Sequence, residues 1–258
     1  MLPPRVVVTL SNPETAADPH TAALKNRRYL EALERSGAVA IPLDERVPAE
    51  LRAAALAEMD GLLISGGADL DPALYGELSA GSRSPDPGRD AIDTEAYRVA
   101  AAARLPILGV CRGLQMINVL SGGSLAQHLD GHESQPYPSP EVTRHPLDLV
   151  PGTRFAMIVG DATDLQVNSY HHQAVAPTGL APGLRASATA AHAGAGDLVE
   201  ALESTDPDRW LIAVQCHPER TESSPPVLER LWSAFVAACA EHHQRAAERR
   251  SLTAVRRP

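Results

Sequence analysis

A cysteine between glycines, a histidine two residues before a glutamate, and a glycine pair are the residues here whose types and spacing could do chemistry. The first lie in Gly109-Val110-Cys111-Arg112-Gly113, where the apolar run over 106–110 stops at a cysteine. This G-x-C-x-G pattern follows the logic of the G-x-S-x-G elbow, a sharp strand-to-helix turn that exposes a nucleophile. A Cβ at either glycine would crowd such a turn. The thiol then sits at a helix N-terminus, where the dipole and free amides favour a thiolate. The backbone amide of Arg112 points at the same spot and is a candidate oxyanion donor. Taken alone, the motif equally fits an inert buried cysteine. Cys239, inside an apolar helix, and Cys216 read that way.

A cysteine nucleophile needs a base, and the base needs an orienting group. His217-Pro218-Glu219 closes an apolar run over 210–219. In extended chain, residues i and i+2 share a face, so Glu219 can hold one ring nitrogen of His217 and leave the other for the thiol. Pro218 keeps the backbone extended. The third group, Gly66-Gly67, opens a loop after residues 60–65, and glycines there let backbone amides approach a substrate oxygen.

The elements that must position these groups follow from the apolar pattern. Strands are expected over 5–10, 38–43, 60–67, 106–110 and 210–219, with helices over 20–37, 48–59, 85–105, 112–123 and 225–243. Pro48 is expected in the first turn of its helix, and Gly37 at the C-terminal cap of the first. Asp90 reads as an N-terminal cap rather than a catalytic group. The β-α alternation predicts an α/β fold, a mostly parallel central sheet with helices on both faces. Ligands of such sheets gather at the carboxyl ends of the strands, where Cys111 and His217 both fall. The stretch 131–146 reads as proline-rich loop, and short strands near a sheet edge are expected over 164–175, 184–190 and 198–203. One domain over 1–244 is expected, followed by a flexible basic tail over 245–258.

The 258 residues, 44% of them hydrophobic, suffice for one sizeable core, and a net charge of −9 argues against nucleic acid or an anionic membrane as partner. Three widely spaced cysteines do not form a disulfide framework, which points to a reducing compartment. With no signal peptide or spanning segment expected, the cytoplasm is the expected location.

Taken together, these residues resemble the class I glutamine amidotransferase family, with its flavodoxin-like fold. Cys111, His217 and Glu219 match that family's catalytic triad in identity and order. Within the family the sequence looks most like the γ-glutamyl-γ-aminobutyrate hydrolases and their γ-glutamyl-polyamine relatives. The shared text includes GVCRGLQMINVLSGGSL, PDPGRD (85–90), VNSYHHQAV (167–175), GDLVEALE (196–203) and AVQCHPE. One departure is Cys216, where the family often has tryptophan.

The resemblance implies a stand-alone cysteine hydrolase that cleaves γ-glutamyl amides of small molecules through a thioester and releases glutamate, in polyamine catabolism. It implies backbone amides of Gly66, Gly67 and Arg112 as the oxyanion site. Gln115, one helical turn after the nucleophile, is expected near the bound glutamyl group, and His171 near the cleft. No cofactor and no metal are expected: no C-x-x-C spacing occurs, and Cys216 and His217 point in opposite directions in a strand. The expected partner is the small-molecule substrate, and a homodimer stays open. Two rival readings use the same residues: a glutaminase subunit feeding ammonia to a separate synthase, and a non-catalytic binding protein on the same fold.

Overall fold

The computed structural model describes residues 2–134, 141–160, 162, 164–193 and 196–255. Its centre is an eight-stranded sheet. The first strand, β1 (Arg5–Thr9), is a run of valines, and their alternation splits the core. Val6 and Val8 face one layer and Val7 the other, as the twofold period of a strand requires.

On either side of β1 lie β2 (Val39–Leu43) and β3 (Gly61–Ile64), both parallel to it. Next come β4 (Ile107–Val110) and, out of chain order, β10 (Leu211–Val214), again parallel. Strands β9 (Gly196–Ser204), β8 (Leu184–His192) and β6 (Asp148–Leu149) continue the sheet antiparallel. A separate two-stranded sheet pairs β5 (Thr143–Pro146) with β7 (Gln166–Ser169).

Helices cover both faces, as expected. The Val6 and Val8 face packs against α1 (Pro19–Arg35), α5 (Arg154–Val159) and α6 (Glu229–Val255), which bury Leu33, Phe155, Trp232 and Phe235 against it. The Val7 face packs against α2 (Ala49–Ala57), α3 (Pro87–Ala102) and α4 (Arg112–Leu120) through Leu56, Ala96 and Leu114. Helix α1 starts where Asp18 accepts from the Thr21 amide at 3.1 Å and ends before Gly37, whose φ of +92° a side chain would strain.

Several expectations are corrected. Pro48 is the N-cap of α2, not part of its first turn. Asp86, not Asp90, caps α3 by accepting from the Arg89 amide at 3.0 Å. The loop expected over 131–146 contains β5, and its residues 135–140 lie outside the described ones. Nothing in the apolar pattern announced β6 or α5, which are too short to show a period. Helix α6 runs on to Val255, into the stretch expected as a tail, of which 256–258 lie outside the described residues. Among the described residues no helix is long and apolar enough to cross a membrane.

Asp90 is instead part of a buried ionic knot under the glycine loop. Arg112 pairs with Asp90 and Asp93, and Arg89 reaches Asp93 at 3.0 Å and the Thr9 carbonyl at 2.8 Å. Burial opposes the charge on Asp93, but the two guanidiniums outweigh it and hold its carboxyl below the usual range. The knot ties α3 and α4 to the ends of β1 and β3. Replacing Asp93 by alanine leaves the buried Arg89 without a carboxylate partner and Arg112 with Asp90 alone. Chemical denaturation should then show a loss of about 3–5 kcal/mol, against under about 0.5 kcal/mol for Glu14→Ala on the surface.

Candidate active site

Parallel pairing of β4 with β10 sets the site. Val110 lies opposite Val214, and the Cys111 amide donates to the Val214 carbonyl at 2.7 Å. Both strands therefore end at the same rim, one delivering Cys111 and the other Gln215-Cys216-His217. Strand β3 ends there too, since Ile64 pairs with Gly109, and brings Gly66 and Gly67.

Cys111 is a strained elbow. Its φ of +53° and ψ of −108° lie outside the comfortable range for a side-chain-bearing residue. The flanking glycines are required by sterics. A Cβ on Gly113 would overlap the Ile64 carbonyl, and one on Gly109 would lie 2.7 Å from Ile117 Cδ1. The crowding expected from the sequence is thus found at both positions.

His217 and Glu219 form the second half. His217 Nδ1 lies 2.6 Å from Glu219 Oε1, and both residues are buried. Burial disfavours the imidazolium, but the charges of Glu219 and then Cys111 outweigh it and raise His217 from 6.5 to about 9. A side-chain hydrogen bond with Cys111 adds to the rise. Burial likewise opposes the charge on Glu219, yet His217 and Arg220 hold its carboxyl below the usual range. A Cβ built on Gly66 would stand 3.0 Å from His217 Cε1 and 3.6 Å from the Cys111 Cβ, so all three groups meet at one point.

The oxyanion expectation divides. The Gly66 amide donates to the Tyr29 hydroxyl at 3.1 Å, so it is already engaged. The amides of Gly67 and Arg112 make no such bond among the described residues, and that of Arg112 is an unpaired first-turn donor of α4. The Arg112 side chain turns away into the ionic knot.

Gln115 comes to the site indirectly. Its Nε2 donates to the Gln173 carbonyl at 2.9 Å and to Gln215 Oε1 at 3.1 Å, and Gln215 Nε2 donates to Cys111 Sγ at 3.5 Å. His171 is held away from the thiol, with Nδ1 donating to the Gln173 carbonyl at 3.0 Å and Nε2 facing Glu200 at 3.6 Å. Cys216 and Cys239 are buried, and burial pushes both thiols well up.

Sequence reasoning missed four groups. Asn168 clamps the histidine backbone, donating to the His217 carbonyl at 3.0 Å and accepting from its amide at 2.8 Å. Tyr29 places its hydroxyl 3.4 Å from His217 Nδ1. Tyr170 sets its ring edge-on to His217 at 5.5 Å, with the Arg220 guanidinium over that ring at 3.9 Å. Gln215 is the fourth. Asn168 and Tyr170 carried a sequence signal in the VNSYHHQAV stretch and Gln215 in AVQCHPE, whereas Tyr29 carried none.

The chain matches the Peptidase C26 family over residues 6–219 and belongs to that family of class I glutamine amidotransferase-like hydrolases. It is 39% identical over 198 residues to a Mycobacterium tuberculosis protein, Rv2859c, provisionally named a glutamine amidotransferase. That match covers 75% of this chain and 61% of the relative, so the chain spans less than two thirds of that protein's length. It is 28% identical over 235 residues to the γ-glutamyl-γ-aminobutyrate hydrolase PuuD of Escherichia coli, covering 87% of this chain and 89% of that one. In fold it is similar to the glutaminase domain of Trypanosoma brucei CTPS, with a TM-score of 0.61 at 18% identity, covering 92% of this chain and 94% of that one.

Two expectations test this geometry. In Glu219→Gln the larger of the two counter-charges is gone while burial and the Cys111 charge remain, so the pKa of His217, read by NMR, should fall from about 9. The pair's contribution to stability should be full between pH 4.5 and 6.5, fall below that range as Glu219 protonates, and vanish as pH rises through 9, a high-pH loss the variant should not show. Gly66→Ala should cut activity by roughly tenfold or more, because its Cβ would stand 2.7 Å from the Tyr29 hydroxyl and 3.0 Å from His217 Cε1 and so disturb the groups around the imidazole.

Proposed function

We propose that this chain hydrolyses γ-glutamyl amides of small molecules, with Cys111, His217 and Glu219 as catalytic triad. The observation that carries this reading is the meeting of a strained cysteine elbow and a carboxylate-held imidazole at Gly66. The choice of γ-glutamyl substrate is supported by the likeness to the hydrolase of Escherichia coli. The leaving amine is γ-aminobutyrate or a polyamine.

In the proposed sequence the Cys111 sulfur, as thiolate, attacks the γ-carbonyl carbon. The carbonyl electron pair moves to oxygen, which the amides of Gly67 and Arg112 receive, a role worth about 3–4 kcal/mol for one donor. Tyr29 must release the Gly66 amide before it can join them. His217, charged at neutral pH because its pKa lies near 9, gives its proton to the departing amine as the carbon–nitrogen bond breaks. A glutamyl thioester and a neutral imidazole remain. The imidazole takes a proton from water, the hydroxide adds to the thioester, and glutamate leaves as the sulfur recovers its electron pair. Glu219 stays ionised throughout and orients the ring.

Gln115 is proposed to act on the glutamyl group through Gln215 rather than by its own amide nitrogen, which has two acceptors already. His171 is not given a substrate role, because its ring is directed at Glu200.

The test is a panel of γ-glutamyl amides, glutamine included, incubated with the purified chain. Glutamate release from γ-glutamyl-γ-aminobutyrate or a γ-glutamyl-polyamine should exceed that from glutamine, and Cys111→Ala should abolish it while leaving the circular dichroism spectrum intact. Turnover of glutamine alone, rising with an added synthase, would favour the ammonia-supplying reading. Undiminished release by Cys111→Ala would remove the triad.

A further inference from the structure

Behind the catalytic rim, three histidines and a glutamate from four separate segments meet in the interior. His132 lies in the loop after α4, His145 on β5, His171 just after β7, and Glu200 on β9. One ligand atom from each lies within 4.8 Å of all the others. The Glu200 side chain is 0% exposed and that of His171 2%. Neither carboxylate oxygen of Glu200 has a hydrogen-bond partner among the described residues, and neither does Nε2 of His145 or His171. Four buried polar atoms left without partners in one spot would be costly.

The ring orientations say what is missing. His171 donates Nδ1–H to the Gln173 carbonyl at 3.0 Å, and His145 donates Nδ1–H to the Pro146 carbonyl at 3.0 Å. Each bond fixes the tautomer and leaves Nε2 as a bare lone pair. A second hydrogen bond of this kind is the usual support of a metal-ligating histidine. Both lone pairs face the Glu200 carboxylate, His171 at 3.6 Å and His145 at 3.7 Å. Those gaps are too long for direct hydrogen bonds. They are close to the ~3.3 Å edge between two ligands that each sit ~2.0–2.1 Å from a tetrahedral zinc ion. A proton on Glu200 could serve one imidazole at a time and would leave the other unpartnered. A divalent ion satisfies all four donors.

We propose that His132, His145, His171 and Glu200 form a binding site for a divalent first-row transition metal of the zinc type. Imidazole and carboxylate donors suit such ions, and four protein ligands make a closed site that holds structure rather than binding substrate. The ion would tie the β5–β7 sheet and the loop carrying His132 to the central sheet through β9. The tie lies one residue from Tyr170, whose ring meets His217, and three from Asn168, which clamps the His217 backbone. The sequence hid the cluster because its members are spread from 132 to 200 with no short spacing among them. The His128 and His132 pair has an H-x-x-x-H spacing, but it lies in a loop, and His128 turns to His172 instead.

The test uses the full chain, purified without immobilised metal, stripped with chelator and carrying Cys111→Ser so that the active-site thiol cannot compete. Zinc titrated by calorimetry should bind at one equivalent. At a hundredfold excess over Kd it should raise the melting temperature by roughly 5–10 °C. Cobalt(II) should give the visible bands of a tetrahedral centre. Glu200→Gln and His145→Asn should each abolish the stoichiometric event. His145 lies on an edge strand and is partly exposed, so its variant should fold even if Glu200→Gln does not. A stripped, folded protein that takes up no stoichiometric zinc would overturn the proposal. So would zinc binding that persists unchanged in His145→Asn.

Discussion

The site depends on one sheet pairing, the parallel ladder between β4 and β10. These strands are separated by a hundred residues of chain, yet Val110 and Val214 lie side by side and the Cys111 amide closes onto the Val214 carbonyl at 2.7 Å. A slip of one residue would turn His217 to the opposite face of the sheet. The slip is opposed by the burial of Leu211, Ile212, Ala213 and Val214 on alternating faces, each at most 1% exposed. Core packing, rather than any contact at the site itself, therefore sets the distance between Cys111 and His217.

Around that ladder the chain spends polar groups on rigidity. The ionic knot of Arg89, Asp90, Asp93 and Arg112 sits beneath the elbow on the α3 and α4 side. Asn168 braces His217 from β7. The positive φ of Cys111 is a cost of order 1–3 kcal/mol that these surroundings must overcome. The strain at Cys111 gives up stability to fix the geometry of the elbow, whereas the His217–Glu219 pair returns some of it in its charged state.

Much of this was legible in the sequence, for identifiable reasons. Strands β1, β3, β4 and β10 are short apolar runs, and helices α1 and α3 carry caps and a helical period, so the α/β order could be read directly. Cys111 stood out because glycines marked the backbone geometry around it, and His217 and Glu219 by their spacing, although the extended backbone expected through Pro218 is a turn, which the Arg220 amide closes on the His217 carbonyl at 3.2 Å. The antiparallel half was harder. Strand β6 has two residues, and the register of β8 against β9 shifts near Ala188, so neither presents a clean alternation. The approach of Tyr29 to Gly66 and the four-residue cluster at Glu200 were out of reach, because long-range packing alone brings their members together. Asp90 was misread as a cap since a carboxylate near a helix start has two uses, and only the position of Arg112 decides between them.

The most direct measurement of the central claim is peptide mapping after reaction with a γ-glutamyl chloromethyl ketone. The account predicts one label per chain, on Cys111, appearing in step with the loss of hydrolysis and strongly slowed in His217→Asn. Labelling of Cys216 or Cys239 in its place, or full hydrolysis by protein labelled at Cys111, would contradict it.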